Sequence, residues 1–128
     1  MKDVKKGFDE LSYAVIGAAI EVHRHLGPGL LESTYQQCLA RELRLNHIDF
    51  NMEYPLPVEY KGIRLDCGYR IDMFIENMLV LELKSVDRLK RIHEAQLLSY
   101  MKLAGVEHGF LINFNVEVLK QGLKSFVL

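Results

Sequence analysis

The sequence predicts a mixed α/β fold, and three observations support this prediction. Apolar residues recur at helical spacing in residues 9–26 and 91–105, whereas they alternate with polar residues in segments 67–75 and 78–86. The short apolar run GFLINF, residues 109–114, is typical of a buried strand. The expected order is therefore helix, helix, three strands, helix, and one or two further strands.

Two helices open the chain. In the first, DELSYAVIGAAIEVHRHL, the apolar side chains repeat at helical spacing until Gly27-Pro28-Gly29 ends the helix, because proline and glycine break helices. The second helix is expected from about Leu30 to Asn46. Its expected buried side consists of Leu31, Tyr35, Cys38, Leu39 and Leu43.

Strands and a third helix follow. The segment YPLPVEYKGI contains two prolines, so we expect an irregular or edge-like first strand that turns at Lys61-Gly62. CGYRIDMFI and MLVLELKSV form two alternating strands joined through ENM. RIHEAQLLSYMKLAG predicts a helix that ends at Gly105, and LKSFVL is a candidate for the last strand.

Burial selects one register for the hairpin of the second and third strands. Pairing of Ile75 with Leu79 makes one face of the hairpin wholly apolar, with Ile71 on that face. The same pairing places Asp72 opposite Glu82 on the other face. A slip of one residue would mix polar and apolar side chains on both faces, which burial disfavours.

Three charged side chains therefore meet on one patch: Asp72, Glu82 and Lys84, which lies two residues beyond Glu82 on the same strand face. Directly opposed carboxylates repel each other by up to about 1 kcal/mol, and a cation between them removes that repulsion. Magnesium ions are held by one or two carboxylates together with substrate phosphate oxygens. A neighbouring lysine can position or activate a water, or offset charge that develops on a phosphate.

This constellation resembles the PD-(D/E)XK nuclease superfamily. Asp72 matches the aspartate of the second strand, and Glu82-Leu83-Lys84 matches the (D/E)XK element, while Ile71 stands where the motif has proline. The resemblance implies a restriction-endonuclease-like core of helix, three antiparallel strands, helix and strand, here with an extra N-terminal helix. It also implies hydrolysis of phosphodiester bonds in nucleic acid, with DNA as the expected form and Mg²⁺ or Mn²⁺ as the cofactor.

Two further motifs support the resemblance, which covers residues 8–127. GLLESTY, from Gly29 to Tyr35, has the signature spacing of the GxxExxY proteins. QLLSY, from Gln96 to Tyr100, looks like the QxxxY motif of the helicase-associated and phage-exonuclease branches of the superfamily.

The resemblance assigns roles to individual residues. The expected metal ligands are Asp72, Glu82 and the backbone carbonyl of Leu83. The expected catalytic residues are Lys84, Glu32 and Gln96. The expected supporting residues are Tyr35 and Tyr100. The expected nucleic-acid contacts are Arg88, Lys90 and Arg91, which follow the third strand.

Each assignment has a structural alternative. A glutamate in the first turn of a helix, such as Glu32, also complements the helix dipole, which is worth roughly 0.3–1 kcal/mol. Tyr35 also fits an ordinary core position, and Gln96 and Tyr100 also fit a solvated and a half-buried helix position. A charged segment at the entrance to a helix is more often simply solvated.

Composition adds further expectations. We expect one domain over residues 1–128, since 128 residues is a usual domain size. The N-terminal segment lacks the apolar stretch of a signal peptide, and no segment approaches the ~20 apolar residues that cross a membrane. The two cysteines, Cys38 and Cys67, do not have the spacing of metal ligands. A cytoplasmic protein without a membrane partner is therefore expected. Phosphate-loop, HExxH, GxSxG and paired CxxC motifs are absent from the sequence.

An alternative function remains open. A non-catalytic module that binds nucleic acid or protein while retaining the nuclease fold agrees with the net charge of −1, because polyanions are usually met by a positive surface. The intact set of charged residues disfavours this alternative, because an inert scaffold has no need to oppose Asp72 and Glu82 and to add Lys84.

Overall fold

The helices and the strands of the main sheet follow one another in the predicted order, with two further short strands inserted before the second predicted strand. A computed structural model describes the backbone of residues 4–128 and the side chains of residues 7–128. The helices are α1 (Val4–Leu26), α2 (Glu32–Leu45) and α3 (Arg91–Ala104). The strands are β1 (Phe50–Pro55), β2 (Val58–Tyr60), β3 (Ile63–Leu65), β4 (Arg70–Ile75), β5 (Leu79–Lys84), β6 (His108–Asn113) and β7 (Leu123–Val127), with a short 3₁₀ helix, Leu119–Gly122, before β7.

Five strands form one mixed sheet in the order β1-β4-β5-β6-β7. β1, β4 and β5 are antiparallel neighbours, β5 and β6 are parallel, and β7 is antiparallel to β6. Parallel neighbours need a crossover connection, and α3 supplies it between β5 and β6. This is the restriction-endonuclease-like core that the resemblance implies, and the extra N-terminal helix is α1.

Helices cover both faces of the sheet. Val15 of α1 and Leu39 of α2 pack in one apolar cluster with Leu81. On the other face, Leu97 of α3 packs in a second cluster with Val80. Both faces of β5 are therefore buried, so the alternation in its second half does not separate a buried face from a solvated one.

The start of α2 corrects one sequence-based expectation. Tyr35, Leu39 and Leu43 are buried as predicted, and Cys38 is half-buried. Leu31, which we expected on the buried side, is 73% exposed. It precedes the helix in an extended conformation, so helical periodicity does not determine where its side chain points.

The segment between β1 and β4 is also more elaborate than predicted. The edge strand of the sheet begins earlier than expected, at Phe50, and ends at the first proline of YPLP. The rest of the predicted strand forms a separate hairpin, β2–β3. Its turn is at Lys61-Gly62, as predicted, and both residues have the positive φ that a tight hairpin turn requires.

The register of β4 against β5 is confirmed at Ile75–Leu79 and Met73–Leu81, where the backbone pairing ends. We expected Ile71 on the same apolar face as Met73 and Ile75, and this is wrong. Ile71 packs in the cluster under α3 and not in the cluster that contains Leu81. The alternation of faces along β4 is thus interrupted at Asp72, between these two environments.

The α1–α2 connection is held by Tyr35. Its ring is completely buried and stacks on Phe114 with 4.4 Å between ring centroids. Its hydroxyl donates to the carbonyl of Gly27 at 2.6 Å and accepts from the N–H of Leu30 at 3.2 Å. Gly29, between these two contacts, has a φ of +97°, which favours glycine. The glycine and the tyrosine of GxxExxY therefore fix the point at which α2 begins.

We expect Tyr35→Phe to destabilise the protein by about 1–2 kcal/mol, because it leaves two backbone groups of the connection without their partner. Urea denaturation measures this change. Tyr13→Phe is the matched control, since Tyr13 is 84% exposed on α1 and its substitution should change stability by less than about 0.5 kcal/mol. Equal stability of the two variants would contradict this account of the motif.

Candidate active site

Asp72 and Glu82 lie where the backbone pairing of β4 and β5 stops. The N–H of Asp72 donates to Oε2 of Glu82 at 2.8 Å, and the N–H of Leu83 donates to Oδ2 of Asp72 at 2.9 Å. Each carboxylate thus binds the backbone of the opposite strand in place of a carbonyl. One oxygen of each carboxylate fixes its orientation, and the other is not used in this exchange.

Burial raises the pKa of both carboxyl groups, and that of Glu82 most. Glu82 is 4% exposed, and its desolvation together with the charge of Asp72 raises its pKa to about 8. Desolvation also raises the pKa of Asp72, while the N–H of Leu83 and the charge of Lys84 lower it. The two groups therefore resist ionising together, and a cation between them would relieve this resistance.

Lys84 ends β5 as a half-buried side chain on the strand that carries Glu82. Its positive charge lowers the pKa of both Glu82 and Asp72, which places it within electrostatic reach of the pair. Its carbonyl accepts the N–H of Phe114 at 2.9 Å, so its backbone is held against the chain that follows β6. The three residues expected on one patch are brought together.

Glu32 is joined to the end of β5. Its Oε2 accepts the N–H of Ser85 at 3.3 Å, and the hydroxyl of Ser85 donates to the carbonyl of Leu30 at 2.6 Å. The start of α2 is thereby bound to the residue that follows Lys84. The charge of Glu32 is near enough to contribute to the raised pKa of Asp72.

Gln96 and Tyr100 form a pair on α3. The amide of Gln96 donates to the hydroxyl of Tyr100 at 3.0 Å, as the i, i+4 spacing allows. Desolvation, followed by the charges of Glu82, Tyr69 and Asp72, raises the pKa of the Tyr100 hydroxyl, and the bond from Gln96 lowers it. The QxxxY motif therefore lies near the carboxylate pair, on the α3 side of the sheet.

The three basic residues after β5 are on the surface. Arg88, Lys90 and Arg91 are all exposed. The N–H of Lys90 donates to Nδ1 of His93 at 3.0 Å, so this part of the segment forms the capped start of α3. The structure therefore leaves these residues accessible, but their contact with nucleic acid stays a prediction.

Sequence reasoning missed two polar residues beside Asp72. The amide of Gln36, on α2, donates to Oε1 of Glu53 and to the carbonyl of Asp72, both at 2.9 Å. The charge of Glu53 also contributes to the raised pKa of both Asp72 and Glu82. Glu53 is thus a third carboxylate at the edge of the site.

Glu53 also has an unusual backbone conformation. Its φ is +51° inside β1, at the position that the β1–β4 register sets opposite Asp72. The other described non-glycine residues with positive φ lie in turns. Such a conformation costs about 1–3 kcal/mol, and strained residues of this kind cluster at functional sites. No sequence pattern signals it, because glutamate in a strand normally has negative φ.

The residues present fit a divalent cation. Among the described side chains, no group of three or more His, Cys, Asp or Glu residues gathers to enclose a metal ion. Magnesium does not need such a cage, since it takes one or two carboxylates and completes its shell with water and phosphate oxygens. Asp72 and Glu82 supply oriented hard oxygen donors of this kind. The contribution of the Leu83 carbonyl stays a prediction.

Comparison with known proteins identifies the family. The family model described as the PD-(D/E)XK nuclease superfamily matches residues 9–126. Neither the curated proteins nor the solved structures give a significant match. No helix in residues 4–128 is both long and apolar enough to span a membrane. The likeness to GxxExxY proteins stays a prediction. Because the match covers almost the whole chain, the protein belongs to the PD-(D/E)XK nuclease superfamily.

Proposed function

We propose that this protein is a divalent-metal-dependent nuclease that hydrolyses phosphodiester bonds in nucleic acid. The observation that carries the proposal is a pair of carboxylates, Glu82 buried and Asp72 half-buried, each fixed by a backbone N–H of the opposite strand beside Lys84. Structural stability does not require two acidic side chains placed side by side in the interior of a sheet. Membership of a superfamily whose members are usually hydrolytic nucleases supports the same conclusion.

Each proposed site residue has a chemical role. Asp72, Glu82 and the Leu83 carbonyl would hold Mg²⁺ or Mn²⁺, which supplies positive charge that stabilises the phosphate during attack. Lys84 positions the attacking water and offsets negative charge that develops on the phosphate oxygens. Glu32 and Gln96 orient water or substrate by hydrogen bonds. Tyr100 braces Gln96, and Tyr35 holds the connection from which Glu32 projects.

The substrate lies against exposed cations in this proposal. Arg88, Lys90 and Arg91 contact phosphates of the nucleic acid, for which DNA is the proposed form. We place the nuclease in the cytoplasm, as one domain over residues 1–128 related to the GxxExxY proteins.

The alternative is a binding module that keeps the fold without catalysis. The net charge of −1 favours it, since it offers nucleic acid little general attraction. The two functions differ in their need for a cation at Asp72 and Glu82, because a module without catalysis does not use one.

Calorimetric titration with Mn²⁺ should show one binding site in the wild type and none in Glu82→Gln. The substitution keeps the shape of the side chain but removes the charge that an ion requires. Glu107→Gln is the matched control, because Glu107 is exposed before β6, at the opposite end of the sheet, and should leave binding unchanged. Absence of binding in the wild type would favour the module.

We expect the stability of the metal-free protein to fall as the pH rises from about 5 to 8. The pKa of Glu82 rises from 4.5 to about 8 on folding, so between these values the folded chain binds more protons than the unfolded chain. The contribution of protonated Glu82 to the free energy of unfolding is complete below pH 4.5 and is lost as the pH approaches 8. Urea denaturation in EDTA at several pH values should show a flatter profile for Glu82→Gln. Identical profiles would refute the assignment of this perturbed group.

Lys84→Ala should lower the rate of nucleic-acid cleavage by roughly 100-fold or more, because it removes a charge that acts on the transition state. Gel assays with DNA and RNA in Mg²⁺ measure the rate, and thermal denaturation verifies that the variant is folded. Lys102→Ala, on the exposed surface of α3, is the control. Cleavage by Lys84→Ala at the wild-type rate would exclude a catalytic role for this lysine.

A further inference from the structure

The β2–β3 hairpin projects from the sheet and has little part in the core. It forms its own two-stranded sheet, separate from the five-stranded one. Every residue from 59 to 70 is exposed. The hairpin therefore buries little apolar area on folding, and core packing does not account for its composition.

One face of the hairpin is apolar and accessible. Tyr60 lies opposite Ile63, and Leu65 follows Ile63 on the same face. These side chains are 57%, 55% and 41% exposed, respectively. The other face carries Glu59 opposite Arg64, a cross-strand pair of opposite charge. The hairpin thus presents a small apolar face with an aromatic ring on it.

The base of the hairpin adjoins the candidate active site. The hairpin is inserted between β1 and β4, and β4 begins at Arg70, two residues before Asp72. Tyr69 closes the base of the hairpin, where its carbonyl accepts the N–H of Leu56 at 2.9 Å. Tyr69 is 44% exposed, and its ring centroid is 6.0 Å from that of Tyr100. The exposed ring of Tyr69 therefore lies between the base of the hairpin and Tyr100, the side chain that braces Gln96.

Cations accompany these rings. The ammonium of Lys61 lies over the ring of Tyr60, 5.4 Å from its centroid, and Arg70 is exposed at the start of β4. Aromatic rings beside Lys or Arg are the features that bind unpaired bases, by stacking on the base and pairing with the phosphate. Bases inside a duplex are already stacked on each other and do not offer their faces to such a surface.

We propose that the β2–β3 hairpin and Tyr69 bind the unpaired bases of single-stranded nucleic acid and guide that strand toward Asp72 and Glu82. The proposal rests on the proposed nuclease function and names its substrate class. A second copy of the chain fits this face less well, because a stable interface needs about 800 Å² from each partner. Three partly exposed side chains on two short strands do not provide that area.

The test compares binding of a fluorescent single-stranded oligonucleotide with binding of a blunt duplex of the same sequence, by fluorescence anisotropy. All proteins carry Lys84→Ala and are assayed in Mg²⁺, and a gel verifies that the strands stay intact. Tyr60→Ala should lower the affinity for the single strand roughly 5- to 100-fold, as loss of base stacking does, and should change duplex binding little. Tyr13→Ala, on α1, is the matched control and should change neither.

Three outcomes would overturn the proposal. The first is an unchanged single-strand affinity in Tyr60→Ala, and the second is an equal loss of affinity for the single strand and the duplex. The third is that the protein with Tyr60 intact does not bind the single strand. A dimer, detected by sedimentation, that Tyr60→Ala dissociates without changing oligonucleotide binding would also overturn it. The metal titration separates this inference from the nuclease function. If the wild type binds no Mn²⁺ but binding of the single-stranded oligonucleotide still depends on Tyr60, the catalytic proposal fails. The hairpin then remains a single-strand binding surface.

Discussion

The exchange of hydrogen bonds between two carboxylates and two backbone N–H groups is the constraint on which the rest of the site depends. Asp72 and Glu82 take the place of carbonyls between β4 and β5, so the strands stay joined while their side chains bring negative charge into the interior. Desolvation of such charge is tolerable only where hydrogen bonds and nearby cations offset it. The surrounding residues provide this setting: Lys84 lowers both pKa values, and Gln36 binds the Asp72 carbonyl.

Periodicity explains what could be predicted and where prediction failed. One register alone pairs Ile75 with Leu79 and Met73 with Leu81 on one apolar face, so the sequence pattern suffices to place Asp72 and Glu82 together. The same reasoning misplaced Ile71 because it assumes an uninterrupted ladder. The ladder ends where side chains replace carbonyls, and this replacement depends on tertiary geometry that an alternating pattern does not encode.

The residues that the sequence did not reveal act through contacts between distant segments. Gln36 and Glu53 belong to α2 and β1, and neither forms a motif with Asp72. Tyr35 was visible as part of GxxExxY, yet only the structure shows its hydroxyl holding the Gly27 carbonyl. Spacing in a sequence reports which side chains share a helix face. It does not report that one of these side chains, Tyr35, will bind a backbone carbonyl eight residues away.

The same hydrogen-bond exchange makes the site spectroscopically readable. The amide proton of Asp72 points at Glu82, and the amide proton of Leu83 points at Asp72. A proton shared with an ionised carboxylate is bound more strongly than one shared with a neutral acid. These two backbone resonances are therefore intrinsic reporters of charge, one for each acid. The order in which the coupled pair gains its protons can be followed by NMR without labelling a side chain or adding a probe.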